Sequence, residues 1–458
     1  MGIYGALSTA VTGLRAQSHA LENISGNIAN SQTTGYKRIE TSFVDLIPDA
    51  PLKGQVPGAV LAQSRGTNNL QGDIQTSGTE TFIALNSSGF FVVEPKVGQS
   101  DGNAVFAGSN FYTRRGDFEI DKDGMLVNGA GFYLKGLPID PATGNVSGSV
   151  PEVLKLTNSY LAAKQTQVIN YQANLPQLPK TAAYDSTVDN SEIMKAGDFA
   201  GGTTGSALAV IQGGDKELFE KNSIYGGAIT VYAANGAPAN VQMRWAKVDN
   251  SASGGADTWH LYYNSNSTAT GTQPAWTRVP EEYTFDSQGS MDPPVAQATI
   301  SNLTVNGVNV GNITIRHNTN GMKQFADVNG TASVTTLNQN GYGAGEFQSV
   351  AISDTGRVVA TYSNGERIDM AQVVTAQFNG VNSLKRHDGG VFTATTESGE
   401  PIMDLTGSGI LGGALEASNT DISDEFTKLI ITQQAYSAGT RIVSTADEMM
   451  QEALNMVR

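Results

Sequence analysis

Hydrophobic residues recur at helical spacing at the two ends of the chain and at strand spacing between them. Near the N-terminus, alternating steps of four and three pick out Leu7, Val11, Leu14, Ser18, Leu21, Ser25 and Ile28, with Ala6, Ala10 and Ile24 widening the stripe. This predicts one helix over residues 3–29. Asn30, Ser31, Thr33, Thr34 and Gly35 then stop it. Near the C-terminus the same steps pick out Ile422, Phe426, Leu429, Gln433, Tyr436, Thr440, Val443, Asp447, Met450, Leu454 and Val457. They predict a second helix over about residues 421–457, with Asp421 or Ser423 as its cap and Asp424 and Glu425 in its first turn. A lone amphipathic helix is marginal in water, so each stripe needs a partner. The two helices either pack on each other along a coiled-coil seam or lie separately on a sheet. The middle of the chain offers no other helix, which favours the first arrangement.

The middle reads as strands. "FIALNSSGFFVVE" is two apolar runs around a turn, and "YTRRGDFEIDKDGMLVNGAGFYLKG" alternates and turns at Asp123-Gly124 and Asn128-Gly129. "YQANLPQLPK" at residues 171–180 reads as a boundary, and the Gly/Asn cluster at 338–345 as a return to the first β region. Residues 30–75 hold many turn formers, with Pro48, Pro51 and Pro57 arguing against regular structure. The expected fold class is α+β, mostly β, in a discontinuous multi-domain chain. Residues 1–30 and 418–458 make a terminal coiled-coil inner domain, and 31–75 a connecting segment. Residues 76–175 and 341–417 make a first β domain, and 176–340 a variable outer β region of one or two domains.

Composition narrows the function classes. A net charge of −15 leaves no basic patch to neutralise phosphates, so no nucleic acid is expected as partner, nor an anionic membrane surface. The absence of cysteine removes disulfides, thiol catalysis and thiolate metal sites. No apolar run is long enough for a membrane-inserted helix, and the first residues do not read as a cleaved signal peptide.

The search for catalytic chemistry finds only weak matches. Gly98-Gln99-Ser100-Asp101-Gly102 fits the nucleophile-elbow pattern but is followed by a strand-like run instead of a helix. "EIDKDG" begins like a calcium loop but has Ala130 where the bidentate Glu belongs, so a hairpin turn is expected there. His19, His260, His317 and His387 are scattered, with no metal-ligand spacing. Trp245, Trp259, Tyr262, Tyr263 and Trp276 could stack on sugar rings, but cross-strand packing is the commoner use of such residues. No catalytic, cofactor or metal site is expected.

Four stretches carry a family resemblance. "ALSTAVTGLRAQSHALENISGNIANSQTTGYKR" resembles the N-terminal signature of bacterial flagellar rod and hook axial proteins, through Asn27, Ile28, Ala29, Asn30, Gly35, Tyr36 and Lys37. "LEASNTDISDEFTKLIITQQAYSAGTRIVSTADEMMQEALNMVR" resembles their C-terminal signature, through Ser418, Asn419, Gln433 and Tyr436. "GFFVVE" with "YTRRGDFEIDKDGMLVN" resembles their shared β domain, and "AISDTGRVVATYSNGERIDMAQVVTAQFNGVNSL" the segment before the last helix of hook members. Many relatives carry Phe at the position of Tyr36, a swap that keeps the ring.

The resemblance implies a structural, self-assembling subunit and no enzyme. The extra outer region favours the hook branch, a curved flexible tube that transmits motor torque from rod to filament around a central export channel. Implied partners are further copies of the chain in a helical homopolymer, the distal rod protein, the hook cap protein, the hook–filament junction protein and the flagellar type III export apparatus. The implied location is extracellular, at the flagellar basal body and hook, after export without signal cleavage. The terminal helices are then expected to be disordered in the monomer, to fold on assembly, and to leave the opening stretch as a hinge. The expected assembly interface is Leu7, Val11, Leu14, Leu21, Ile28, Phe426, Leu429, Tyr436, Val443, Met450 and Leu454. The alternatives are a distal rod or hook-like paralogue, or a secreted β-rich adhesive or carbohydrate-binding protein.

Overall fold

In the computed structural model the described residues are 3–46, 59–100, 102–140, 143–156, 160–200, 202, 208–318 and 321–456. Helix α1 spans Ile3–Ala29. It ends where the Asn30 side chain bonds back to the Gly26 carbonyl (2.8 Å), satisfying a last-turn acceptor. The chain then turns through Gly35, whose φ of +65° is cheap only for glycine. A Cβ there would also stand 2.7 Å from the Arg114 backbone.

Strand β1 (Ile39–Leu46) follows and pairs antiparallel with β2 (Ala59–Gly66), from Ile39 opposite Gly66 to Leu46 opposite Ala59. The turn formers therefore flank a regular two-stranded ribbon, contrary to the expectation for residues 30–75. Pro48, Pro51 and Pro57, on which that expectation rested, lie outside the described residues. The ribbon lies along α1, where Asn23 Nδ2 donates to Thr41 Oγ1 (2.8 Å).

Two compact units form. The first comprises residues 1–158, 348–361 and 367–458, so both terminal helices belong to it. Its body is a branched 14-stranded sheet built from both halves of the chain. Phe90–Ser100 pairs with Thr375–Gln377, and Phe132–Pro138 with Arg367–Val373. Phe90, Tyr112, Phe378 and Phe392 fill its core, with Phe90 and Phe392 edge-on at 5.6 Å. Ser100 ends a strand that hairpins into Asn103–Phe106, so no strand-to-helix elbow forms around it. "EIDKDG" is a hairpin turn in which Asp121 Oδ1 accepts the Asp123 and Met125 amides (2.9 and 2.8 Å).

The second unit comprises residues 159–347 and 362–366. It holds two 5-stranded sheets and the short helix α2 (Lys216–Lys221). Val168–Asn174, expected at the end of the first β domain, pairs here with Val308–Arg316 and Ser333–Gln339. One core cluster draws on both sheets, and at its centre Tyr171, Trp245, Tyr283 and His317 bond one another. The Tyr171 carbonyl can only accept from His317 Nδ1 (2.9 Å); burial pulls the His317 pKa down and keeps the ring neutral, so its Nε2 accepts the Tyr283 hydroxyl (2.9 Å). Trp245, Trp259, Tyr262 and Trp276 are all buried, which removes the sugar-stacking platform.

His260, also buried, touches Glu282 (3.2 Å) and Arg278 (3.3 Å). Burial, then the Arg278 charge, pull its pKa from 6.5 down to about 4, against the opposing pull of Glu282. The unfolded chain therefore binds more protons than the folded one between about pH 4 and pH 6.5, and stability falls as pH falls through that window. Denaturant unfolding at pH 7 and pH 5 should show this loss, and His260→Gln should reduce it, leaving the part due to His317, whose pKa burial also pulls down.

Candidate assembly site at the root of the terminal helices

Helix α3 (Ile422–Met456) begins at Asp421, whose Oδ1 accepts the Ser423 amide at 2.8 Å. Asp421, and not Ser423, is thus the cap. The helix runs antiparallel to α1: Asn27 meets Glu425 near its start, and Leu14 meets Gly439 midway. A Cβ on Gly439 would stand 3.0 Å from Leu14 Cδ2, so the absence of a side chain lets the helices close up there.

The faces that meet differ from the predicted stripes, since ten of the seventeen described stripe positions are exposed. Leu7, Leu14, Leu21 and Ile28 of α1 are half-buried, as are Leu429, Val443 and Met450 of α3. The fully buried positions beside them are Ala16, Ala20, Ile24 and Asn27, facing Glu425, Thr432 and Ala446. Val11, Ser18 and Ser25 lie on the outer face of α1. Phe426 (49% exposed), Tyr436 and Leu454 are likewise uncovered on α3, together with Ile430, Ile431, Ile442 and Met449, which the spacing left out. Val457 lies outside the described residues. Small residues let two helices approach closely, and that closeness fixed which half of each stripe turned inward.

The signature residues converge on the root of this pair. Asn27, 1% exposed, uses its whole amide. Its Nδ2 donates to the Ile39 carbonyl (2.8 Å) and to Glu425 Oε2 (3.0 Å). Its Oδ1 accepts the Ile39 amide (2.9 Å) and the Tyr36 hydroxyl (3.3 Å). The side chain thus pairs with Ile39 as a neighbouring strand would, tying α1, β1 and α3 at one point. Asn419 Oδ1 accepts the Arg38 amide (2.7 Å), and its Nδ2 donates to the Leu70 carbonyl (3.1 Å). The Tyr36 ring lies under the Arg386 guanidinium at 4.3 Å. The Ser418 hydroxyl accepts the Thr420 amide (3.2 Å). Ile28 is half-buried, while Ala29 and Gln433 are exposed.

Beneath them lies a buried ionic centre that the sequence did not reveal. Glu416 sits between Lys37 Nζ (2.5 Å) and Arg114 Nη1 (3.1 Å), all three side chains essentially without solvent contact. Its Oε1 also accepts the Gly72 amide (2.9 Å), and its backbone carbonyl accepts the Gly35 amide (2.7 Å). Two cations face one carboxylate. The carbonyls of Leu70, Leu85 and Ser87 accept further bonds from Lys37 Nζ and the two terminal nitrogens of Arg114, while Arg114 Nε is buried without a partner among the described residues. Burial pushes the Lys37 pKa down, and the Glu416 carboxylate pulls it partly back; Arg114 is affected in the same way. Lys37 stood in a recognised motif, but its partners lie far away in the chain and carry no local signal.

The four histidines stay apart. His19 bonds Ser64 on the ribbon and His387 bonds Thr393, while His260 and His317 are placed as above. Among the described residues no three His, Asp or Glu side chains gather as a metal site, and no helix is long and apolar enough to cross a membrane.

Four family models match the chain in order. They are the flagella basal body rod protein at residues 7–37 and the flagellar hook protein FlgE/F/G D1 domain at 84–177. The flagellar basal body protein FlaE D2 domain follows at 219–342, and the flagellar basal body rod FlgEFG protein C-terminal at 411–456. The flagellar hook protein FlgE of Brucella suis is 28% identical over the whole of both chains. That of Salmonella typhimurium is also 28% identical, over 98% of this chain and 99% of its own. The chain belongs to the flagellar hook protein family. The hook protein FlgE of Treponema pallidum is 28% identical over 99% of each chain. A crystal structure of Helicobacter pylori FlgE2 aligns with a TM-score of 0.48 and 14% identity, over 75% of this chain and 99% of that one. The first and last family matches meet at the ionic centre, which joins Lys37 to Glu416.

Glu416→Gln would leave two buried cations without a counter-charge, at a cost of about 3–5 kcal/mol. Lys37→Met leaves Glu416 paired with Arg114 and should cost clearly less. Denaturant unfolding of the two variants checks the order, and equal losses would contradict the pairing described.

Proposed function

We propose that the chain is the structural subunit of a flagellar hook, a self-assembling curved tube that joins rod to filament and transmits torque while bending. The observation that carries this reading is the pair of helices from opposite ends of the chain, anchored together in one buried ionic centre while apolar residues along α3 stay uncovered. In this reading α1 and α3 form the inner coiled coil around the export channel, and Leu7, Val11, Phe426, Leu429, Tyr436, Val443 and Leu454 take part in packing against neighbouring copies. The buried aromatics of the second unit disfavour the adhesive, sugar-binding alternative.

The partners in this reading are further copies of the chain, the distal rod protein, the hook cap and hook–filament junction proteins, and the type III export apparatus. The place of assembly is outside the cell. The reading assigns no catalysis to the chain.

Electron microscopy of a strain lacking the gene should show rods without hook or filament, and normal hooks and filaments would contradict the assignment. In the same assay Leu429→Asp should abolish hooks, while the purified variant keeps the β-sheet circular dichroism of the wild-type protein.

A further inference from the structure

The body of the first unit holds a second buried ion pair, and a side-chain amide lies against it. Lys135 (9% exposed) is on the strand Phe132–Pro138, and Glu94 (4% exposed) on the adjoining strand Phe90–Ser100. Lys135 Nζ stands 2.9 Å from Glu94 Oε2 and donates to Asn110 Oδ1 at 2.8 Å. Asn110 immediately precedes Phe111–Thr113, the strand on the other side of Phe90–Ser100. Register explains the meeting. Tyr133 pairs with Glu94 and Phe111 with Val93, so one step back from Phe111 places Asn110 beside Glu94. Lys135, two residues beyond Tyr133, shares its face. Tyr112 and Tyr133 are buried around the group, and the Asn110 amide also bonds the Tyr112 hydroxyl. Glu94 Oε1 accepts the Gly108 amide, which fixes the carboxylate.

Among the described residues the buried lysines are Lys37, Lys135 and Lys247. Lys37 and Lys247 each meet a carboxylate and a backbone carbonyl. An amine that displaces nitrogen from a backbone carbonyl cuts the chain. One that displaces it from Asn110 releases only ammonia. We propose that Lys135 and Asn110 condense to an intramolecular isopeptide bond, with Glu94 as the proton carrier. Asn110 Cγ lies one C=O bond, about 1.2 Å, from Oδ1, so Nζ is within about 4 Å of the carbon it attacks. Lys135 passes a proton to Glu94 and becomes a neutral amine, whose lone pair attacks Asn110 Cγ. Glu94 gives that proton to the departing amide nitrogen. The Nζ–Cγ bond forms and the Cγ–Nδ2 bond breaks. The released ammonia takes the second proton that Nζ sheds and leaves as ammonium. Glu94 ends as the carboxylate it began as, and no oxidant takes part. The chain has no cysteine, so this tie needs no thiol. It joins the two segments that flank Phe90–Ser100, and a pull that separates them meets a covalent bond as well as a hydrogen-bond ladder. The bond depends on the fold of the first unit alone and not on assembly.

Trypsin digestion of the full folded chain, read by mass spectrometry, tests it. Cleavage after Lys135 should be lost, and residues 97–114 should appear joined to residues 123–155 in one branched peptide. Its mass should fall short of the two separate peptides by one ammonia. Separate peptides of sequence mass would overturn the proposal. So would ammonia loss within one linear peptide, as from cyclisation at Asn128-Gly129. Asn110→Ala keeps the Lys135–Glu94 pair and should give only linear peptides with unchanged circular dichroism. In freshly synthesised chain, Glu94→Gln should form the joined peptide about a hundredfold more slowly than wild type. An equal rate in folded Glu94→Gln would overturn the proton route.

Discussion

A carboxylate withdrawn from water must be fully paired, and Glu416 meets that demand with parts from four regions of the chain. Lys37 arrives just after α1, Gly72 after the ribbon and Arg114 from the body, while Glu416 itself lies just before α3. Glu416 cannot leave without stranding two buried cations. The position of both helix roots on the body of the first unit follows from this constraint. Asn27, Tyr36 and Asn419 then extend the same bonding outward, so the passage from body to helices, which the family resemblance implied to be a hinge, is densely hydrogen-bonded.

The arrangement divides labour along each helix. Near the root, polar bonds specify direction: Asn27 satisfies both backbone groups of Ile39 while reaching Glu425. Farther out, small side chains replace polar bonds, and the contact rests on Ala16, Gly439 and Ala446 with Leu14 between. Small-residue packing consumes little of the apolar surface that α3 carries, which leaves the outer stripe free for other copies. A subunit that hid all of its apolar surface internally would have little reason to polymerise.

The terminal helices were legible because their stripes are long and regular, and the hairpin turns because Asp-Gly and Asn-Gly pairs mark them. The inward face was not legible. Hydrophobic spacing reports which positions avoid water and not which neighbour covers them, so Val11, Phe426 and Leu454 were grouped with Leu14 and Leu429. The ionic centre was hidden for another reason. Lys37, Arg114 and Glu416 each look like ordinary surface charges, and only closure across most of the chain length brings them together. The ribbon was missed because Ile39–Leu46 and Ala59–Gly66 are bordered by prolines whose local signal outweighed two short alternating runs.

The central claim is that the buried charge cluster holds the helix roots on the body. Hydrogen exchange of the unassembled chain tests it most directly. The amides of Gly35, Arg38, Ile39 and Gly72 donate to Glu416, Asn419, Asn27 and Glu416 respectively. The account predicts that these amides exchange as slowly as those of the core strand at Phe90–Val93, with protection fading toward Ile3 and Met456. Exchange at the four amides as fast as at the helix tips would contradict it.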